Sequence, residues 1–114
     1  MNKVTKDNKV AVITSGEYGG GFWTNGGSLY PESIFDPVLV ALVLEKNYIE
    51  IYKYIKQTYP NIEVDHYWSK TQDGAPIVNY LTVNWIDQGV EFLILDYDGR
   101  EYIEVKQELE WIKA

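Results

Sequence analysis

The residues of this chain best suited to chemistry lie in one stretch, Thr14-Ser15-Gly16-Glu17-Tyr18-Gly19-Gly20-Gly21-Phe22-Trp23-Thr24-Asn25-Gly26-Gly27, where six of the nine glycines fall within fourteen positions beside three aromatics. Successive free N–H groups in such a loop form a concavity that accepts an anion, and glycine lets the backbone approach a ligand closely. Tyr18, Phe22 and Trp23 present flat faces on which a base can stack. The Thr24 hydroxyl and the Asn25 amide supply hydrogen bonds to phosphates or base edges. The candidate ligand-binding set is therefore Ser15, Tyr18, Gly19, Gly20, Gly21, Phe22, Trp23, Thr24 and Asn25, with Asn84 and Trp85 as a far wall if a sheet backs the loop. Aromatics on a merely flexible surface loop are costly unless they meet something. Subunit contact, where Tyr and Trp are also enriched, is the alternative use.

Other chemistries find less support. The chain has one histidine, His66, and no cysteine, so thiolate metal sites and disulfide frameworks are excluded. Asp65, His66 and Asp73 are too few for a recognisable metal set, and no EF-hand or His-pair spacing is present. Ser15 sits in Thr-Ser-Gly rather than the Gly-x-Ser-x-Gly elbow that exposes a nucleophile. Asp96/Asp98 and Glu101/Glu104 are carboxylate pairs that would serve an acid–base enzyme, but hairpin tips carry such residues for turn chemistry. The loop lacks the Gly-Lys-Ser/Thr ending of a P-loop, and no helix follows at the required point. The dinucleotide fingerprint fails for the same reason. No catalytic residue, metal or cofactor is expected.

The formal net charge of −7 argues against DNA or RNA backbone binding, which depends on Lys and Arg neutralising phosphates. It also opposes long-range anion capture, so Lys9, Lys70 or Arg100 would have to assist locally. The acidic residues are scattered rather than clustered. The 114 residues, 46% of them hydrophobic, suit a single domain spanning 1–114, with 1–8 frayed. No apolar run approaches the length of a membrane span, and the polar start is not a signal peptide. A cytoplasmic protein without membrane contact is expected.

The elements that must position the loop are read as follows. Lys9 to Ser15, with the continuous run Val10-Ala11-Val12-Ile13, is an interior strand buried on both faces. Asp36-Pro37 opens a helix as N-cap and first-turn proline. Val38 to Glu45 is apolar nearly all round and should be buried. Lys46-Asn47 breaks it, and Tyr48 to Tyr59 forms a second helix stopped by Pro60. Ile62 to Trp68 reads as a short strand and Gln72 to Pro76 as a turn. Leu81–Ile86, Val90–Tyr97 and Arg100–Val105 form an antiparallel three-stranded meander, with the Asp98-Gly99 hairpin turn as its strongest signal. Gln107 to Lys113 fits either a helical turn or a last strand. The fold class is α+β, a mostly antiparallel sheet with that C-terminal meander and two consecutive helices on one side.

Taken together, Val10 to Thr24, Phe35-Asp36-Pro37, Leu81 to Ile86, Gly89-Val90-Glu91-Phe92 and Asp96-Tyr97-Asp98-Gly99 resemble a family of small proteins common in tailed bacteriophages and some bacteria. Its pattern is a strand, a Ser-Gly-x-Gly-x-Gly aromatic loop, a Phe-Asp-Pro helix start and a late Trp strand before an Asp-Gly hairpin. Phe22-Trp23 departs from it, where a Trp followed by small polar residues is the family's pattern. Small phage proteins of this size include cytoplasmic sponges that sequester cyclic-nucleotide immune signals, as in anti-CBASS and anti-Thoeris systems. The resemblance implies by analogy a non-enzymatic, homo-oligomeric protein that binds a small nucleotide-like ligand. The competing expectations are an acidic inhibitor or nucleic-acid mimic acting on a host enzyme, a subunit of an oligomeric interaction protein, and a small hydrolase or cyclase-like enzyme.

Overall fold

A computed structural model describes residues 2–106 and 112–114. The apolar run after Lys9 becomes β2 (Lys9–Ser15), in which every residue but the first is buried. It is the middle strand of a three-stranded antiparallel sheet, between β1 (Thr5–Lys6) and β3 (Leu81–Asp87). Both faces of β2 are covered, as an uninterrupted apolar strand requires. The β1–β2 turn is Asp7-Asn8, with φ of 52° and 63°, the two left-handed positions of a tight hairpin. Within the stretch 1–8 that was expected to fray, Thr5–Lys6 forms an edge strand, and the Val4 carbonyl accepts from the Ala11 N–H at 2.9 Å.

The C-terminal strands all form, but they do not make a single meander. β3 pairs with β2 along its whole length, from Lys9↔Asp87 to Ser15↔Leu81. β4 (Phe92–Tyr97) and β5 (Arg100–Val105) form a separate two-stranded sheet. The Gln88 N–H donates to the Asn8 carbonyl at 2.9 Å, which ties the end of β3 to the β1–β2 turn and carries the chain away from a β3–β4 ladder. The class remains α+β, with two helices beside two antiparallel sheets.

Helix α1 (Pro37–Leu44) begins where Asp36-Pro37 dictates. The Asp36 Oδ1 accepts from the Val38 N–H at 2.9 Å and the Leu39 N–H at 3.4 Å. The break is equally local: Lys46 takes φ 57°, and the Asn47 N–H returns to the Leu42 carbonyl at 3.0 Å, closing the helix as a left-handed C-terminal residue does. The helix is not buried all round. Leu39, Val40 and Val43 enter the core, whereas Val38, Ala41 and Leu44 face outward. Helix α2 (Tyr48–Thr58) buries Ile51 and Ile55 and shows Glu50 and Lys53 to solvent. Segment 59–80 holds no strand: Ile62 and Val64 are buried anchors of an irregular chain with one bridge, Lys70↔Pro76. Most of the undecided 107–113 segment lies outside the described residues.

Asp36 does more than cap α1. Its Oδ2 accepts from the Tyr54 hydroxyl at 2.7 Å and from the Tyr59 hydroxyl, so one carboxylate, 1% exposed, joins the start of α1 to the end of α2. Burial first, and the Asp36 carboxylate second, push the Tyr54 hydroxyl up to about 12 and the Tyr59 hydroxyl well above its ordinary value. In the unfolded chain both titrate near 10.0. Their contribution is therefore complete below that pH and is lost as pH rises through the folded values. The urea midpoint is expected to fall between pH 10 and 12, and to fall less steeply in the Tyr54→Phe/Tyr59→Phe double variant.

Candidate functional site

The Glu101 side chain enters between the two ends of the glycine-rich stretch, where Ser15 and Thr24, rather than the glycine amides, are its donors. Its Oε1 accepts from the Ser15 N–H at 2.8 Å. Its Oε2 accepts from the Thr24 N–H at 3.1 Å and the Thr24 hydroxyl at 3.3 Å. Glu101 comes from β5 and is 5% exposed, so the loop closes over a buried carboxylate and ties the β4–β5 hairpin to the end of β2. Other loop amides are also engaged within the chain. The Gly16 N–H donates to the Tyr80 carbonyl at 2.8 Å, and the Gly19 N–H to the Asp98 carbonyl at 2.6 Å.

The hairpin turn lies directly on the loop. Gly99, at φ +89°, has the Gly20 carbonyl oxygen 2.5 Å and the Gly20 nitrogen 2.6 Å from where a Cβ would stand. Backbone meets backbone there, and no side chain fits between. Gly99→Ala is expected to destabilise the protein by ~2 kcal/mol or more, combining the left-handed penalty with the clash. Gly89 is the matched control: φ is +82° with nothing within 4 Å of its Cβ position, so Gly89→Ala should cost only ~1 kcal/mol. Urea midpoints of the two variants test the difference.

The sequence-derived candidates divide accordingly. Phe22 is fully buried in the core, so it cannot stack on a ligand; its ring is the hydrophobic anchor of the loop. Ser15 is buried, and its hydroxyl donates to the Glu17 carbonyl at 3.2 Å. Gly20 and Gly21 are buried, and the Gly20 carbonyl accepts from the Asn25 side-chain amide at 3.2 Å. Trp23 is partly buried against the core. Asn84 donates to the Val12 carbonyl at 3.1 Å and the Thr14 hydroxyl at 2.9 Å, two bonds within the β2–β3 sheet. Trp85 pairs with Ala11, four rungs from the Ser15↔Leu81 pair where the loop begins; at about 3.3 Å per residue that is ~13 Å away. Asn84 and Trp85 therefore do not form a far wall.

Of the loop aromatics only Tyr18 is exposed. Its ring meets Tyr97 edge-on, with centroids 6.3 Å apart. The Arg100 guanidinium stands 5.6 Å from the Tyr18 ring centroid and 5.2 Å from that of Tyr102, within the range of a cation–π contact. Hydrogen bonding to Tyr102 first, and to Arg100 second, holds the Tyr18 hydroxyl below its ordinary value. Arg100 is the one assisting cation the sequence brought to this cluster; Tyr97 and Tyr102 were missed.

These residues belong to a larger surface. In the β4–β5 register Tyr97 faces Arg100, Leu95 faces Tyr102 and Leu93 faces Glu104, and cross-strand partners share a face. That face points outward: Leu93, Leu95, Tyr97 and Tyr102 are 63%, 45%, 70% and 42% exposed. The opposite face packs Phe92, Ile94 and Ile103 against the core and inserts Glu101 beneath the loop. The alternation was legible in sequence, but which parity faced the core was not.

His66 stacks on Trp68 at 4.8 Å and meets Tyr80 edge-on, as an aromatic packing residue. Among the described residues no cluster of three or more potential metal ligands occurs, and no helix is long and apolar enough to cross a membrane. Comparison with protein-family models, curated proteins and solved structures found no match for this chain.

Proposed function

We propose that this chain is a non-catalytic interaction protein whose contact surface is the outer face of the β4–β5 hairpin, extended at its tip by Tyr18. The observation that carries this reading is the exposed row of Leu93, Leu95, Tyr97 and Tyr102 on a ribbon whose other face is fixed to the body. Contiguous apolar surface of this kind marks a contact site, and Tyr and Arg are the side chains enriched there. Two isolated strands are marginal by themselves; the Glu101 clasp and the Gly99–Gly20 contact supply the rigidity that a preformed binding face needs.

The test places a photo-crosslinking amino acid at Leu95 or Tyr97, and at Lys53 on exposed α2 as control, in the cells that make the protein. Protein adducts from the hairpin positions and none from Lys53 are expected. Adducts from Lys53 alone, or from neither, would overturn the reading.

A second reading, sequestration of a small nucleotide-like ligand as the phage resemblance implies, is favoured by one arrangement: Arg100 held against Tyr18 and Tyr102 offers stacking faces beside a cation for phosphate. In this form the ligand sits on the tyrosine–arginine surface rather than on the loop amides. A panel of cyclic and linear nucleotides should then raise the melting temperature, Tyr18→Ala should abolish the shift, and intact nucleotide should be recovered after heating. No shift with any nucleotide removes this reading.

A further inference from the structure

We infer that the partner for the hairpin face is a second copy of this chain, docked about a two-fold axis that crosses the strands at the Leu95–Tyr102 rung. The inference rests on the interaction reading above and adds the identity of the partner.

The outward face has three rungs: Tyr97 with Arg100 at the tip, Leu95 with Tyr102 in the middle, and Leu93 with Glu104 at the root. Two copies of such a face can meet about an in-plane axis that runs either along or across the strands. An axis along the strands keeps each rung over its own kind, setting Glu104 over the partner's Leu93 and removing that carboxylate from water without a cation. Such burial is costly. An axis across the strands reverses the rungs, and every pairing then becomes favourable. Arg100 of one protomer lies over the partner's Glu104, twice by symmetry, while Leu95 and Tyr102 meet their own equivalents at the centre. Among the described residues neither Arg100 nor Glu104 belongs to an ion pair within its own chain. Both are exposed.

Shape supplies a second argument. The same axis brings Tyr97, more exposed than Leu93, Leu95 or Tyr102, over the partner's root rung. At the root a groove of about 580 Å³ is lined by Glu91, Phe92, Leu93, Glu104, Val105 and Lys106. Of these lining residues Leu93 and Glu104 belong to the outward face, so each copy sets its exposed Tyr97 ring against the partner's Leu93, the reciprocal contact that an isologous interface needs. Two strands of six residues span ~20 Å by ~10 Å. That is small beside the ~800 Å² per partner of a standard stable interface, so the dimer is concentration-dependent rather than permanent.

Sedimentation velocity of the full chain over a concentration series tests this, with near-UV circular dichroism confirming that each variant is folded. The wild type should pass from monomer to dimer. Arg100→Glu alone and Glu104→Arg alone should each weaken association at least tenfold, because each sets like charges together twice. An equal mixture of the two single variants should form a heterodimer, and the Arg100→Glu/Glu104→Arg chain should dimerise again. A wild type that stays monomeric throughout, or single variants that dimerise as it does, would overturn the inference. Crosslinks from Leu95 only to other proteins would also overturn it while leaving the interaction reading standing; crosslinks to nothing would remove both.

Discussion

Replacing Asp36 by alanine is expected to destabilise the protein by about 4 kcal/mol, the magnitude of taking the shared acceptor from two tyrosyl hydroxyls and a helix N-terminus. The carboxylate accepts two helix N–H groups and two tyrosyl hydroxyls. Its removal leaves the Tyr59 hydroxyl, in a residue 3% exposed, without its partner and uncaps α1. Two controls divide the effect. Asp36→Ser keeps a capping oxygen but is too short for the tyrosines, so the cap's share of ~1 kcal/mol should be recovered. Tyr54→Phe and Tyr59→Phe should each cost ~1 kcal/mol, and their sum should differ from the double variant because both bond one oxygen. Urea denaturation of the five chains measures all of this. An Asp36→Ala chain as stable as wild type would show that the network is not a joint of the fold.

Glu101 is the second position where a large effect is expected. Glu101→Ala leaves the Ser15 N–H buried without an acceptor and opens a void beneath the loop, at a cost of about 3 kcal/mol. Glu101→Gln is the informative partner. Both carboxylate oxygens are in use, and an amide offers only one acceptor, so about half the loss is expected from a residue of equal size. Hydrogen exchange at the Ser15 and Thr24 amides should accelerate in both variants, while exchange within α2 should follow only the global stability. Equal exchange at all sites would mean that Glu101 does not hold the loop locally.

Much of the architecture could be read from short-range pattern. The run Val10–Ile13 announced an interior strand, Asp36-Pro37 a helix start, Lys46-Asn47 a break and Asp98-Gly99 a hairpin, because each signal acts within a few residues. The partner of Leu81–Asp87 was illegible for the opposite reason. It pairs with Lys9–Ser15 across separations of 66 residues at Ser15↔Leu81 to 78 at Lys9↔Asp87, and a nearby hairpin at Asp87-Gln88-Gly89 was the local competitor. The site was half legible. An anion on the glycine amides was expected; instead Ser15 and Thr24 hold a side chain from β5, Glu101, which in sequence paired with Glu104 as turn chemistry of a hairpin tip. Its parity with Ile103, a residue of the packed face, was the available clue. Three aromatics in one glycine-rich loop likewise do not declare their order of burial. Phe22 anchors, Trp23 half-covers and Tyr18 faces outward, an order imposed by tertiary packing.

In the proposed function the glycine loop works internally, presenting a hairpin whose outer face makes the contacts. Leu95→Asp measures this most directly, since it places a charge at the centre of that face without touching the clasp. The expected result is a urea midpoint equivalent to wild type within ~0.5 kcal/mol, as for a surface substitution, together with loss of self-association in sedimentation velocity. A chain that unfolds on this change, or one that associates as before, would contradict it.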